Sequence, residues 1–128
     1  MNIEFTAFYA GLLGLLYVVL SIRVIKLRKR YKIGINSGQE KELERAIRVH
    51  GNFSEYVPMA LFLILLLEIN QTSSWILHTL GAAILVGRIL HAMGLDKSAG
   101  VTIYRTLGMV LTFLTILVAA VFNILAVY

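Results

Sequence analysis

Between Glu44 and Pro58 the chain reads Glu44, Arg45, Ala46, Ile47, Arg48, Val49, His50, Gly51, Asn52, Phe53, Ser54, Glu55, Tyr56, Val57, Pro58, and an uncharged apolar run to Leu67 follows. Ionisable groups cost about 2.5 to 3.5 kcal/mol at the centre of a membrane helix, so they face a partner, a cavity or a ligand rather than lipid. A helix advances about 100° per residue; with Arg45 at zero, Arg48, Asn52, Glu55 and Tyr56 fall within one arc of about 100°. His50 and Ser54 fall on the opposite side, which makes them weaker candidates for the same site. Mutual neutralisation of Arg45, Arg48 and Glu55 at a wet helix end would explain the charges but not Asn52 and Tyr56. Pro58 cannot donate a helical hydrogen bond to Ser54, so a bend is expected there.

Further along, Arg88 and His91 are three residues apart and share a helix face, and Arg105 opens the last apolar stretch. All three are expected at the membrane depth of Arg48, Asn52 and Glu55. A pocket lined by cations from three helices and one carboxylate suits an anionic molecule that also carries an amine, which Glu55 would hold. His78 lies at the far end of its apolar stretch and reads as an interfacial histidine. No histidine pair has the spacing of zinc ligands on one face, and no phosphate loop or nucleophile elbow occurs, so no metal site is expected. The chain has no cysteine. Any thiol chemistry therefore uses a thiol brought by a ligand.

The elements that position these residues follow from composition. The 128 residues are 59% hydrophobic, with mean hydropathy +0.81, which describes one small integral membrane domain. Four stretches lack charged residues: Phe5 to Ile22, Tyr56 to Leu67, Ile69 to Gly87 and Thr106 to Tyr128. A crossing needs roughly 17 to 25 residues. The second stretch is too short and must borrow length from the charged run before it. Open strands cannot satisfy their backbone in lipid, so the expected fold is all-α, a four-transmembrane-helix bundle. The helices are placed at about 4–27, 43–70, 74–94 and 102–127 in a single domain, 1–128. Phe5 to Ile22 reads as a retained helix rather than a signal peptide, since no cleavage motif follows it.

All 12 Lys and Arg lie between Arg23 and Arg48 or between Arg88 and Arg105. By the positive-inside rule both of those connections face the cytoplasm and both termini lie outside. The cluster Lys26, Arg28, Lys29, Arg30, Lys32 and a net charge of +5 would permit nucleic-acid binding, but beside a membrane helix they read as an anchor for anionic lipid. No nucleic-acid partner is expected. Leu27 to Glu42 is read as the one substantial loop, Asn70 to Ser74 as a tight turn with Trp75 at the interface, and Leu95 to Val101 as a second turn. Ala7, Gly11, Gly14 and Ser21 share one face of the first helix, and Gly108, Thr112, Ala119 and Asn123 one face of the fourth, as packing seams for helix association.

The pattern Glu44-Arg45-x-x-Arg48-x-His50-x-Asn52-x-x-Glu55-Tyr56-x-Pro58, with Gly87-Arg88-x-x-His91 and an arginine opening the fourth helix, resembles the MAPEG family, membrane-associated proteins in eicosanoid and glutathione metabolism. The resemblance spans the whole chain. It implies a homotrimer in the membrane with glutathione as co-substrate, bound near the cytoplasmic side between protomers. It also implies glutathione contacts from Arg48, Asn52, Glu55, Tyr56 and Arg88, with His91 beside them, and Arg105 as the residue that stabilises the thiolate. Gly51 and Leu95 depart from prostaglandin-forming members, which points to a bacterial-type branch in the inner membrane. The function implied is a glutathione transferase, with peroxidase activity as a further expectation, acting on lipophilic small molecules that arrive from the bilayer. The alternative is a non-enzymatic lipid- or glutathione-binding scaffold. Retention of Arg48 and Arg105 favours catalysis, since a lipid presenter needs no thiolate stabiliser. A small multidrug transporter would want an acidic residue within the first helix, and Phe5 to Ile22 has none.

Overall fold

A computed structural model describes residues 2–97 and 100–128. Four helices follow one another: α1 (Glu4–Tyr31), α2 (Lys41–Ile69), α3 (Ser74–Lys97) and α4 (Ile103–Leu125). All four are long and apolar enough to cross a membrane. Their outer faces carry large apolar side chains, among them Leu15, Val19, Phe62 and Leu117, as expected where lipid is the solvent.

The helix ends differ from those expected, each for a local reason. The expected end of α1 is near residue 27, but the helix runs to Tyr31. Outside the apolar stretch it is held by a small second core, in which Leu27 packs with Leu43 and Ala46 under Val24, Tyr31, Ile33 and Ile47. The same core carries the start of α2 back to Lys41. At 1.5 Å per residue, 28 and 29 residues make both helices longer than the roughly 30 Å hydrocarbon layer. They project beyond it as a hairpin. Lys32 closes α1 in a left-handed conformation, and Arg28 donates to the carbonyls of Ile33 at 3.3 Å and Asn36 at 2.9 Å, which ties down the loop.

The expected end of α3 is near residue 94, yet the helix continues through Leu95 to Lys97, so the start of the expected second turn is helical. Ser98 of that turn lies outside the described residues, as does Met1. α4 begins at Ile103, one residue later than expected, because Thr102 is its N-cap and accepts the Arg105 backbone N–H at 3.2 Å. α2 continues through Pro58 without interruption.

The main core contains Leu13 and Leu20 of α1, Val49, Phe53, Val57, Ala60, Ile64 and Leu67 of α2, Leu77, Leu80 and Ile84 of α3, and Ala119 of α4. Their spacing of three and four along α2 makes a continuous stripe. α2 and α3 pack on each other, and each also packs on α1 and α4. Among the described residues α1 and α4 form no packed pair.

The two small-residue seams have different fates. On α4, Gly108, Thr112 and Ala119 are buried, and Asn123 donates to the Leu63 carbonyl of α2 at 2.9 Å. On α1, Ala7, Gly11 and Gly14 are exposed, and a side chain at either glycine would meet open space. Only Ser21 of that seam joins α2, through its hydroxyl and His50 Nε2 at 3.0 Å.

Candidate functional site: a polar cavity at the basic end

Three helices converge on a cavity of about 340 Å³ at the end of the bundle where the basic residues gather. α2 contributes Lys41, Glu44, Arg45, Arg48 and Asn52, α3 contributes His91 and Leu95, and α4 contributes Arg105. The size falls in the range of small-molecule sites, about 300 to 1,000 Å³. Among the described lining residues Lys41, Arg45, Arg48 and Arg105 are cations and Glu44 is a carboxylate, so the cavity suits an anion.

Close approach of α3 and α4 builds this end. A Cβ at Gly94 would collide with the Arg105 backbone nitrogen, and one at Gly108 would stand 2.5 Å from the Gly87 carbonyl oxygen. Only glycine lets the two backbones meet there. Arg105 is thereby brought against α3, beside His91. Helix geometry alone supplies Arg48 and Asn52, which are four residues apart on one face of α2.

Behind the cavity lies a buried polar cluster. Arg88 is only 1% exposed. Its Nη2 donates to Asn52 Oδ1 at 2.6 Å and to His91 Nδ1 at 3.2 Å, while Nη1 donates to Thr112 Oγ1 at 3.4 Å. A guanidinium only donates. The Asn52 oxygen must therefore point toward Arg88, which commits the amide orientation. His91 Nδ1 must likewise accept, which leaves the proton of the neutral ring on Nε2. Thr112 donates its own hydroxyl proton to the Gly108 carbonyl at 2.8 Å. Arg88 thus sets the orientation of two cavity-lining side chains without lining the cavity itself.

The expected residues separate into three groups. Arg48, Asn52, His91 and Arg105 come together around the cavity. Arg88 stands behind them. Glu55 and Tyr56 do not line the cavity within this chain: Glu55 pairs with Arg48 at 3.5 Å on an outer face, both side chains being about half exposed, and Tyr56 packs edge-to-face on Phe113 of α4, ring centroids 5.4 Å apart. Lys41 and Glu44 join the site although they were not expected there, and Arg45 lines it as its place on the stripe suggested. The signal for Lys41 and Glu44 is present in the sequence, since Lys41, Glu44, Arg45 and Arg48 follow a spacing of three and four.

His50 and Ser54 sit apart, as the helical projection indicates. His50 stacks on Tyr17 of α1, with centroids 4.8 Å apart. His78 is bonded rather than solitary, its Nδ1 lying 3.2 Å from the Tyr9 hydroxyl. Glu68 does not stand out in the sequence. It is buried, and its two carboxylate oxygens accept the backbone N–H groups of Phe5 at 2.8 Å and Thr6 at 2.7 Å. Ile3 at the N-cap of α1 offers no side-chain cap. Glu68 supplies one from α2 and meets the positive end of the helix dipole. Among the described residues no group of three metal-ligating side chains occurs.

The fold and the cavity define a four-helix membrane bundle with cations around a cavity at one end, and comparison with known sequences narrows the class. The chain matches the MAPEG family model over residues 6–125 and belongs to that family. It is 35% identical over 119 residues to the inner membrane protein YecN of Escherichia coli (strain K12), covering 93% of this chain and 89% of that one. The protein of the same name from Escherichia coli O6:H1 (strain CFT073) matches to the same extent.

Proposed function

We propose that this protein is a glutathione transferase of the bacterial inner membrane, which binds glutathione in the basic cavity and conjugates it to hydrophobic electrophiles. The observation that carries the reading is the convergence of Arg48, Asn52, His91 and Arg105 from three helices on one cavity. Paired guanidinium groups suit the carboxylates of the tripeptide. The location is supported by the apolar helices and by the inner-membrane relatives, and the gathering of basic residues supports a cytoplasmic cavity with both termini outside.

The chemistry needs a thiolate. A free thiol has a pKa near 8.5, and neighbouring cations lower it to about 3.5–7.5. Arg105 cannot act as a base, so its role is to hold the thiolate once the proton has left to solvent. The sulfur then attacks an electrophilic carbon: a C–S bond forms as the bond to the leaving group breaks and its electron pair departs. Peroxide reduction by the same thiolate belongs to the same proposal.

Arg48 and Glu55 support assembly as a homotrimer. Half-exposed charges about two and four turns into a membrane helix are costly against lipid. A neighbouring protomer over that face would shield them and would bring Glu55 and Tyr56 to a shared site.

Titration of detergent-purified protein with glutathione, followed by thiolate absorbance at neutral pH, tests the reading. The unmodified protein should give a saturable thiolate signal. Arg105→Ala should bind glutathione without ionising it, and Glu55→Ala should weaken binding. Absence of a thiolate signal from the unmodified protein would refute the enzymatic role, and binding without ionisation would favour a scaffold instead.

A further inference from the structure

A second charged depression lies between α1 and α2, where α1 passes from its apolar stretch into its basic end. It measures about 470 Å³ and is lined by Val19, Ile22, Arg23, Lys26 and Arg30 of α1, with Glu42 of α2 opposite. We propose that it holds one anionic glycerophospholipid of the surrounding membrane, its phosphate between Arg23 and Lys26 and an acyl chain along Val19 and Ile22.

Three observations carry the assignment. The first is the division of the groove along its length. At about 100° per residue, Val19, Arg23, Lys26 and Arg30 stand within one arc of about 60°, so a single face of α1 changes from apolar to basic between Ile22 and Arg23. The second is depth. The uncharged stretch Phe5 to Ile22, at 1.5 Å per residue, nearly spans a hydrocarbon layer of about 30 Å. The change of character therefore falls where lipid phosphates lie. Arg23 and Lys26 are separated by less than one turn of rise and can converge on one phosphate, while their aliphatic stems cover the apolar surface below.

The third observation is charge. Glu42 is already engaged, accepting from the Tyr31 hydroxyl at 2.9 Å and lying 3.8 Å from Arg30. Among the described lining residues three cations, Arg23, Lys26 and Arg30, stand with the single carboxylate of Glu42, a balance that complements an anionic headgroup and offers little to a choline. The groove is also preformed, because Leu27 and Leu43 are packed in the small core that holds α1 against α2 at this height. It lies apart from the glutathione cavity, since the two share no lining residue.

The experiment uses full-length protein stripped of lipid in a neutral detergent. Native mass spectrometry would count retained phosphatidylglycerol or phosphatidylcholine, each added at matched ratios, with glycerol phosphate as a soluble competitor. One phosphatidylglycerol should be retained saturably in preference to phosphatidylcholine, and millimolar glycerol phosphate should not displace it. Lys26→Glu should weaken retention about tenfold or more, as expected from about 1 kcal/mol per basic residue near an anionic surface and the reversal of one charge. Lys32→Glu makes the same charge change at the C-cap of α1, about 120° round the helix from Lys26 and outside the groove lining, and should have less than a twofold effect. Equal loss in both variants would mean diffuse surface attraction and would overturn the site. Equal retention of phosphatidylcholine would overturn the anionic selectivity. Displacement by glycerol phosphate would reassign the groove to soluble phosphates. Should Lys26→Glu fail to fold, the comparison of the two lipids on unmodified protein still decides the matter.

Discussion

The two ends of the bundle use charge in opposite ways. At the end where α1 begins, Glu68 is closed by the backbone N–H groups of Phe5 and Thr6, and His78 by Tyr9 with the Phe5 ring edge-on at 4.6 Å. At the basic end, among the described residues, Lys41, Arg45, Arg48 and Arg105 surround an open cavity together with the carboxylate of Glu44. The first arrangement completes the Glu68 carboxylate and the His78 ring with groups from within the chain. The second gathers like charge that an anion would relieve. A polar residue in a membrane protein is thus read by how its hydrogen bonds are completed, more than by its presence.

Substitutions can break this contrast, and the largest effect is expected where both ends depend on helix packing. Gly108→Leu would drive a side chain into the Gly87 carbonyl and the His91 backbone. Overpacking of this kind costs about 3 kcal/mol or more against rigid backbone, and thermal unfolding in detergent should register it together with loss of glutathione binding.

Glu68→Ala comes next. It removes the cap of α1 and leaves two N–H groups buried, a loss of about 2 kcal/mol by analogy with helix caps and unsatisfied donors. Glutathione affinity should stay within twofold, measured by isothermal titration. A large drop in affinity would show that the two ends are coupled.

Arg48→Ala is the converse. The half-exposed pair with Glu55 contributes about 0–1 kcal/mol, so stability should hardly change while glutathione binding falls about tenfold, a loss of roughly 1.4 kcal/mol. Raising the salt from about 0.05 to about 0.5 M should also weaken binding to the unmodified protein, by screening the cavity cations. Smallest of all is His78→Phe, which removes one hydrogen bond to Tyr9 and should cost about 0.5–1 kcal/mol with no effect on ligand.

Much of the fold and part of the site are legible in the amino-acid sequence. Four apolar stretches announce four helices, and the helical projection separates Arg48 and Asn52 from His50, because azimuth on a helix follows from residue spacing alone. The projection cannot place Glu55 and Tyr56, however. They share the arc of Arg48 but stand farther along α2, where the neighbour is Phe113 or the outside of the chain rather than the cavity. Charge counting also ends α1 too early, since it cannot foresee Leu27 meeting Leu43 beyond the apolar stretch. The two small-residue seams look alike in sequence, yet only that of α4 is buried within the chain.

By itself, then, the sequence determined that this chain spans a membrane with its cations gathered at one end, and which residues share a helix face, because hydropathy and the 3.6-residue period are local properties. Only the tertiary structure decided that Arg88 stands behind the cavity as the donor that orients Asn52 and His91, that Gly94 and Gly108 admit α4 closely enough to bring Arg105 beside them, and that Glu68 caps a helix some sixty residues away. Those outcomes depend on which helices touch and how closely. Contact of that kind is a property of packing, which no single helix encodes.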